Sequence, residues 1–295
     1  MAIGSLAGSG TLGILIPPSI MMIVYGVAAE VSITRLFIAG ILPGILLMTL
    51  FSAYIVVWAL LNPDKQPPAE EKLPAAEKIR ALRELAPVVL LIMSIMGTIY
   101  LGIATATEAA AFGVLGALVI SALSGTLSWR SLVDSLSGAV ITSCMIGFIL
   151  AGAAFLTATM AFAGIPRTLS QWVGGLNLSA NGLIAVILAL YIVLGCFLDG
   201  VSMVVLTAAV LLPLVQNAGV DLIWFGIFIV LAVEMSLVTP PVGFNLYVLQ
   251  GLSGRSLRTV SQASFPFFVL MVVAVGIIML FPQIVTFLPS HMIGG

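Results

Sequence analysis

The chain has 295 residues, of which 61% are hydrophobic and 7% charged, and its mean hydropathy is +1.28. Soluble domains carry about 25% charged residues, so the sequence reads as an integral membrane protein. A net charge of -1, with ten basic residues that form no tract along which a phosphate backbone could run, excludes nucleic-acid binding. Cys144 and Cys196 lie in apolar runs and His291, the only histidine, stands near the carboxyl end, so the interior holds no zinc site, disulfide scaffold or histidine-based catalytic centre.

Taking ~20 apolar residues per span, residues 1–28 cross the membrane although Pro17 and Pro18 interrupt them. Met1 opens no basic n-region, so this segment is not read as a signal peptide. The second span is 36–61, with Trp58 near its exit, where an indole favours the interface. Residues 62–84 are a hydrophilic linker rich in Pro, Lys and Glu, ending in a short surface helix from about Ala75. Three spans follow, 85–103, 108–127 and 136–163, the last rich in Gly and Ala that permit close helix packing. After Pro166 and Arg167 a mixed stretch to Ser179 reads as lying along the membrane surface.

Residues 181–198 and 201–215 are two short apolar pieces joined by Asp199-Gly200. Each is at or below the lower length limit for a span, so 181–215 reads as a re-entrant hairpin with Asp199-Gly-Val-Ser202 at its tip; two short tilted spans are the alternative. Residues 222–251 form a second span broken by Pro240-Pro241, and 263–288 the last.

One offset of 223 positions carries Pro17-Pro18 onto Pro240-Pro241, Arg35 onto Arg258 and Pro43 onto Pro266. Paired prolines remove two backbone donors and clash with the preceding turn, so both helices must open at membrane depth. Four full spans separate the two broken ones, which therefore cross in opposite directions. The expected fold is an all-α integral membrane protein with inverted-repeat, ion-transporter-type topology. Its partial first repeat is 1–61, its linker 62–84 and its full second repeat 85–288. By the same offset about 138 residues, including a first hairpin, would precede Met1 in a symmetric molecule.

Charge sets the orientation. With the 62–84 loop in the cytoplasm, Lys65, Lys72, Lys78, Arg80, Arg83, Arg130, Arg255 and Arg258 share that side and only Arg35 and Arg167 lie outside.

Opened backbone at midplane frees carbonyls and amides that suit a small cation or an anionic substrate. Asp199, a carboxylate in apolar surroundings beside Gly200 and Ser202, is the first candidate ligand. Thr239, Pro240, Gly243 and Asn245 cluster at the second break, and Thr11, Gly13 and Ser19 at the first. Asp199 with Thr239 and carbonyls is expected to form one sodium site, and Ser19 with the first break part of another, because hard cations take oxygen ligands. Glu234, Glu108 and Arg167 are candidate structural charges. Glu108 either opens a helix against its dipole or pairs with Arg167, and Glu234 either meets an opened amide or a cation.

The segments Gly10-Thr-Leu-Gly-Ile-Leu-Ile-Pro-Pro-Ser-Ile20, Leu36-Phe-Ile-Ala-Gly-Ile-Leu-Pro-Gly44, Ala106-Thr-Glu-Ala-Ala110, Phe197-Leu-Asp-Gly200 and Thr239-Pro-Pro-Val-Gly-Phe-Asn-Leu-Tyr247 occur in an order that resembles the large membrane subunit of tripartite ATP-independent periplasmic (TRAP) transporters. The resemblance covers nearly the whole chain. It implies sodium-coupled import of organic acids (C4-dicarboxylates, sialic acid or sugar acids) by an elevator-type shift, in a bacterial or archaeal inner membrane. It also implies two partners, a small membrane subunit and a periplasmic binding protein, with Na+ as coupling ion and no covalent cofactor. Ala106 and one of Ala208 and Ala209 stand where the family usually has proline.

Other readings compete. An intramembrane aspartyl hydrolase needs two carboxylates sharing a site, and Asp199 and Glu234 lie in unrelated motifs. A channel needs charged or carbonyl-lined rings that are not evident here. A truncated fragment without activity is the third.

Overall fold

The computed structural model describes residues 1–65, 74–175, 178–240 and 243–292. Pro241 and most of the Pro/Lys-rich part of the linker lie outside the described residues. All regular structure within them is helical. Six helices are long and apolar enough to cross a membrane, which makes the chain a multi-pass membrane protein.

The chain divides into two compact units, the first comprising Met1–Ile55 and Met145–His291, the second centred on Val56–Cys144. The first begins with α1 (Ala2–Leu15), α2 (Ile20–Ala28) and the amino-terminal part of α3 (Ile33–Leu61). The second holds the rest of α3, then α4 (Ala75–Tyr100) and α5 (Ala106–Leu123). The expected surface helix from Ala75 and the span at 85–103 are thus one continuous helix. α4 and α5 pack as an antiparallel pair: a Cβ on Gly113 would stand 2.8 Å from the Ile95 side chain, and one on Gly116 would meet Leu91. At the start of α5 the Thr105 main-chain N–H donates to Glu108 Oε2 at 2.8 Å while the Glu108 N–H donates to Thr105 Oγ1 at 3.3 Å. This is a reciprocal capping box that satisfies two helix-end donors.

α6 (Trp129–Phe162) runs on into the first unit, followed by α7 (Ile165–Gly175), α8 (Ala180–Leu194) and α9 (Gly200–Asn217). α8 and α9 are the arms of the expected hairpin, but the join is longer than two residues. α8 ends at Gly195, and Asp199 caps α9 by accepting from the Ser202 N–H at 3.1 Å. The turn is therefore Gly195–Asp199, and Gly200 and Ser202 belong to the first turn of α9.

α10 (Leu222–Leu237) is the hub. Every residue from Trp224 to Ser236 is buried, as expected of a helix that is apolar all round. α1, α2, α8, α9, α11 (Phe244–Ser253), α12 (Leu257–Leu280) and α13 (Gln283–Ser290) pack around it. Two long-range hydrogen bonds fix its amino-terminal half: Tyr25 Oη donates to the Leu222 carbonyl at 2.8 Å and Trp224 Nε1 to the Ile278 carbonyl at 3.1 Å. α1 lies close along α12, where a Cβ on Gly4 or Gly8 would run into Ala263 or Phe267. The last expected span, 263–288, is divided between α12 and α13 at Phe281-Pro282, where proline ends the ladder.

Candidate cation and substrate site

Both broken segments are open where the prolines stand. α1 stops at Leu15, Ile16 is extended, the Pro17–Pro18 bond is cis, and α2 leaves at 45° from Ser19. α10 stops at Leu237, and α11 begins after Gly243. Two helix ends are thus exposed within apolar segments, with carbonyls freed from the i→i+4 ladder.

Each end is held by a local hydroxyl. Ser19 Oγ donates to the Ile14 carbonyl, and Thr239 Oγ1 donates to the Met235 carbonyl at 2.6 Å. A hydroxyl that spends its proton on its own helix keeps its lone pairs as acceptors, the state a cation ligand requires. Thr11 is fully buried and donates to the Gly8 carbonyl at 2.8 Å. Gly13 has open space around it.

Gly243 is required by its surroundings. A Cβ there would stand 2.8 Å from the Leu237 carbonyl and 2.9 Å from that of Thr239, and both are main-chain atoms with little freedom to yield. Its own N–H donates to the Thr239 carbonyl at 3.0 Å, which draws the second break into a tight loop.

The hairpin turn docks against this loop. A Cβ on Gly195 would collide with Ser236, and one on Gly200 would stand 2.6 Å from Val233 and 3.3 Å from Met21. Cys196 Sγ–H points to the Pro240 carbonyl at 3.4 Å. The turn and the start of α9 together therefore touch α10 just before the second break and α2 just after the first. Gly195, Phe197, Leu198 and Asp199 of the turn, with Leu237 and Phe244 from the two sides of the second break, line a cavity of about 250 Å3. Asp199 is the only charged group among the described residues that line it. Asn245, on the first turn of α11, brings its amide nitrogen within 3.7 Å of where a Gly10 Cβ would lie on α1.

Of the residues singled out in the sequence, Asp199, Gly200 and Ser202 stand at the hairpin turn and the start of α9, while Thr239 and Pro240 line a separate cavity of about 150 Å3 with Val238, Ser261, Phe265 and Phe268, and Gly243 closes the second break. Thr11, Gly13 and Ser19 stay with the first. Asp199 is exposed and engaged with Ser202, whose hydroxyl donates to it. Glu108 caps α5, and Arg167 is exposed on α7. Glu234 is fully buried in α10. Sequence reasoning placed Cys196 only in an apolar run and did not single out Phe197, Leu198 or Phe244 as site residues. The signal for all four was their position beside a turn or break.

Over residues 1–284 the chain matches the family described as the tripartite ATP-independent periplasmic transporter, DctM component. It is 33% identical to the C4-dicarboxylate TRAP transporter large permease protein DctM of Pseudomonas aeruginosa, over 97% of this chain and 67% of that one. It is 35% identical to the ectoine/5-hydroxyectoine TRAP transporter large permease protein UehC of Ruegeria pomeroyi, over 96% and 66%. It is 32% identical to the isethionate TRAP transporter permease protein DctMQ of Oleidesulfovibrio alaskensis, over 95% and 44%. With two opened helices and a hairpin turn gathered around one hub, and with this likeness along nearly its full length, the chain belongs to the DctM family of TRAP transporter large permeases and is a transporter subunit, not an enzyme.

Proposed function

We propose that this subunit couples entry of an organic acid to sodium. Sodium binds where the hairpin turn meets the second break, held by Asp199, Thr239 and the main-chain carbonyls of Val238 and Pro240. Ser19 and the opened end of α1 contribute a second position. The observation that supports this most is the cavity beside Asp199: it is lined by the last residue of α10 and the first of α11, and the one charged side chain among its described lining residues is a carboxylate. The acid substrate sits next to the cations, whose charge offsets its own.

The relatives are named for C4-dicarboxylates, ectoine and isethionate. A membrane site built largely from main chain tolerates such a range, so choice among acids, C4-dicarboxylate, sialic acid or sugar acid, falls to the soluble periplasmic protein that delivers them. The small membrane subunit braces the large one. The two broken helices belong to inverted repeats that cross in opposite directions, and the hairpin moves with them as one elevator-like body. The chain sits in a bacterial or archaeal inner membrane with 62–84 in the cytoplasm.

Counterflow of a labelled C4-dicarboxylate in proteoliposomes holding the complete transporter tests this reading. Exchange that requires sodium on both faces is the expected result. Sodium-independent exchange would remove the cation from the mechanism, and flux without exchange would indicate a channel.

A further inference from the structure

The two arms of the hairpin are joined by a pair of hydroxyls that the site above does not use. Tyr191 of α8 is 1% exposed, and its hydroxyl meets that of Thr207 on α9. A count of protons fixes the direction of this bond. Thr207 Oγ1 donates its one proton to the Met203 carbonyl at 2.8 Å and has only lone pairs left to offer, so Tyr191 is the donor. Among the described residues no other hydrogen bond ties α8 to α9.

Tyr191 and Thr207 each stand eight positions from Asp199, so the bond closes the hairpin at matching points of its two arms. Beyond it the arms meet different neighbours. A Cβ on Gly195, where α8 ends, would collide with Ser236 of α10, and one on Gly200, where α9 starts, would stand 3.3 Å from Met21 of α2. Each arm also packs more extensively on α10 than on the other arm. Such neighbours hold each arm separately. Among the described residues the hydroxyl pair is the one directional contact between the arms, and a hydrogen bond tolerates little change in length or angle. It therefore sets their spacing, and with it where the turn holds Asp199 against Leu237 and Phe244.

We propose that Tyr191 is a positioning residue for the transport site: through Thr207 it clasps the two arms, so that the turn bearing Asp199 moves as one piece with both. The effect on the cation rests on the sodium reading given above; the clasp itself does not. Tyr191→Phe opens the clasp with little other disturbance, because the ring remains and Thr207 keeps its bond to Met203.

The test uses the complete transporter. Spin labels at the exposed Val186 of α8 and Leu206 of α9, in a background with Cys144→Ala and Cys196→Ala, report the distance between the arms by pulsed electron paramagnetic resonance. One narrow population is expected in the parent and in Thr207→Ser, a broader one in Tyr191→Phe and in Thr207→Val, and no further change in the double variant. In uptake with the native cysteines, Tyr191→Phe should raise the sodium concentration for half-maximal rate about threefold and leave the maximal rate unchanged, while Thr207→Ser matches wild type. An unchanged distance in both single variants, or a double variant that adds their effects, would overturn the clasp. A lowered maximal rate with unchanged half-saturation would overturn the positioning role. If uptake proves independent of sodium, the sodium reading falls, and the spin-label distances still decide the clasp.

Discussion

The two interruptions carry the same Pro-Pro pair and differ in what encloses them. At the first, Pro17 and Ser19 are buried and α2 departs at a fixed angle. At the second, Pro240 is exposed, Thr239 is partly exposed, and the cavity lined by Asp199, Leu237 and Phe244 opens alongside. The first break keeps Pro17 and Ser19 inside while Ile16, Pro18 and Ile20 stay exposed, and the second leaves both Thr239 and Pro240 accessible. Identical local chemistry thus yields two different structures, because the hairpin turn stands over the second break with its glycines and its carboxylate.

The sharpest way to break this contrast is at the glycines. Gly243→Val forces side-chain atoms onto two main-chain carbonyls, an overpacking that costs about 1–3 kcal/mol, and uptake by the complete transporter should be lost. Gly13→Ala, where space is open, should leave uptake intact and stabilise α1 by about 0.5–1 kcal/mol. Equal tolerance at both positions would mean that the second loop is not tightly closed.

Asp199→Asn keeps the shape of the turn and the cap on α9 while removing the charge. The sodium concentration for half-maximal uptake should rise about tenfold, corresponding to roughly 1.4 kcal/mol. Unchanged sodium dependence would assign Asp199 to the cap alone.

A smaller difference is expected between the hydroxyls. Thr239→Val should raise the sodium requirement severalfold, because its lone pairs lie at the accessible break. Ser19→Ala should act more weakly on sodium and lower stability by about 1 kcal/mol through the lost bond to Ile14. The reverse order in a sodium titration would make the first break the principal cation site.

The smallest effect belongs to the second unit. Glu108→Gln retains part of the capping box, so thermal stability should decline slightly and sodium dependence not at all. Any change in sodium dependence would tie this exposed helix start to the transport cycle.

Much of this was readable in the chain itself. The paired prolines announce broken helices in any setting, since the missing N–H and the ring clash are covalent facts. Asp199 stood out as an acid between apolar arms, although its turn begins earlier than expected, at Gly195. The contact of Gly195 with Ser236 and of Cys196 with Pro240 joins positions about 40 residues apart by packing that no local pattern encodes.

α6 and α10 mark the boundary most clearly. Both are apolar by composition, yet the longer α6 has no buried residue and the shorter α10 is buried from Trp224 to Ser236. Sequence alone determined that the chain is helical and membrane-embedded, where its helices open, and which acids sit in apolar surroundings, because backbone donors and hydropathy are properties of single residues and short windows. Tertiary structure decided which apolar helix became the hub, which break stayed accessible, and that Glu234 is fully buried, because burial is set by neighbours that arrive from elsewhere in the chain.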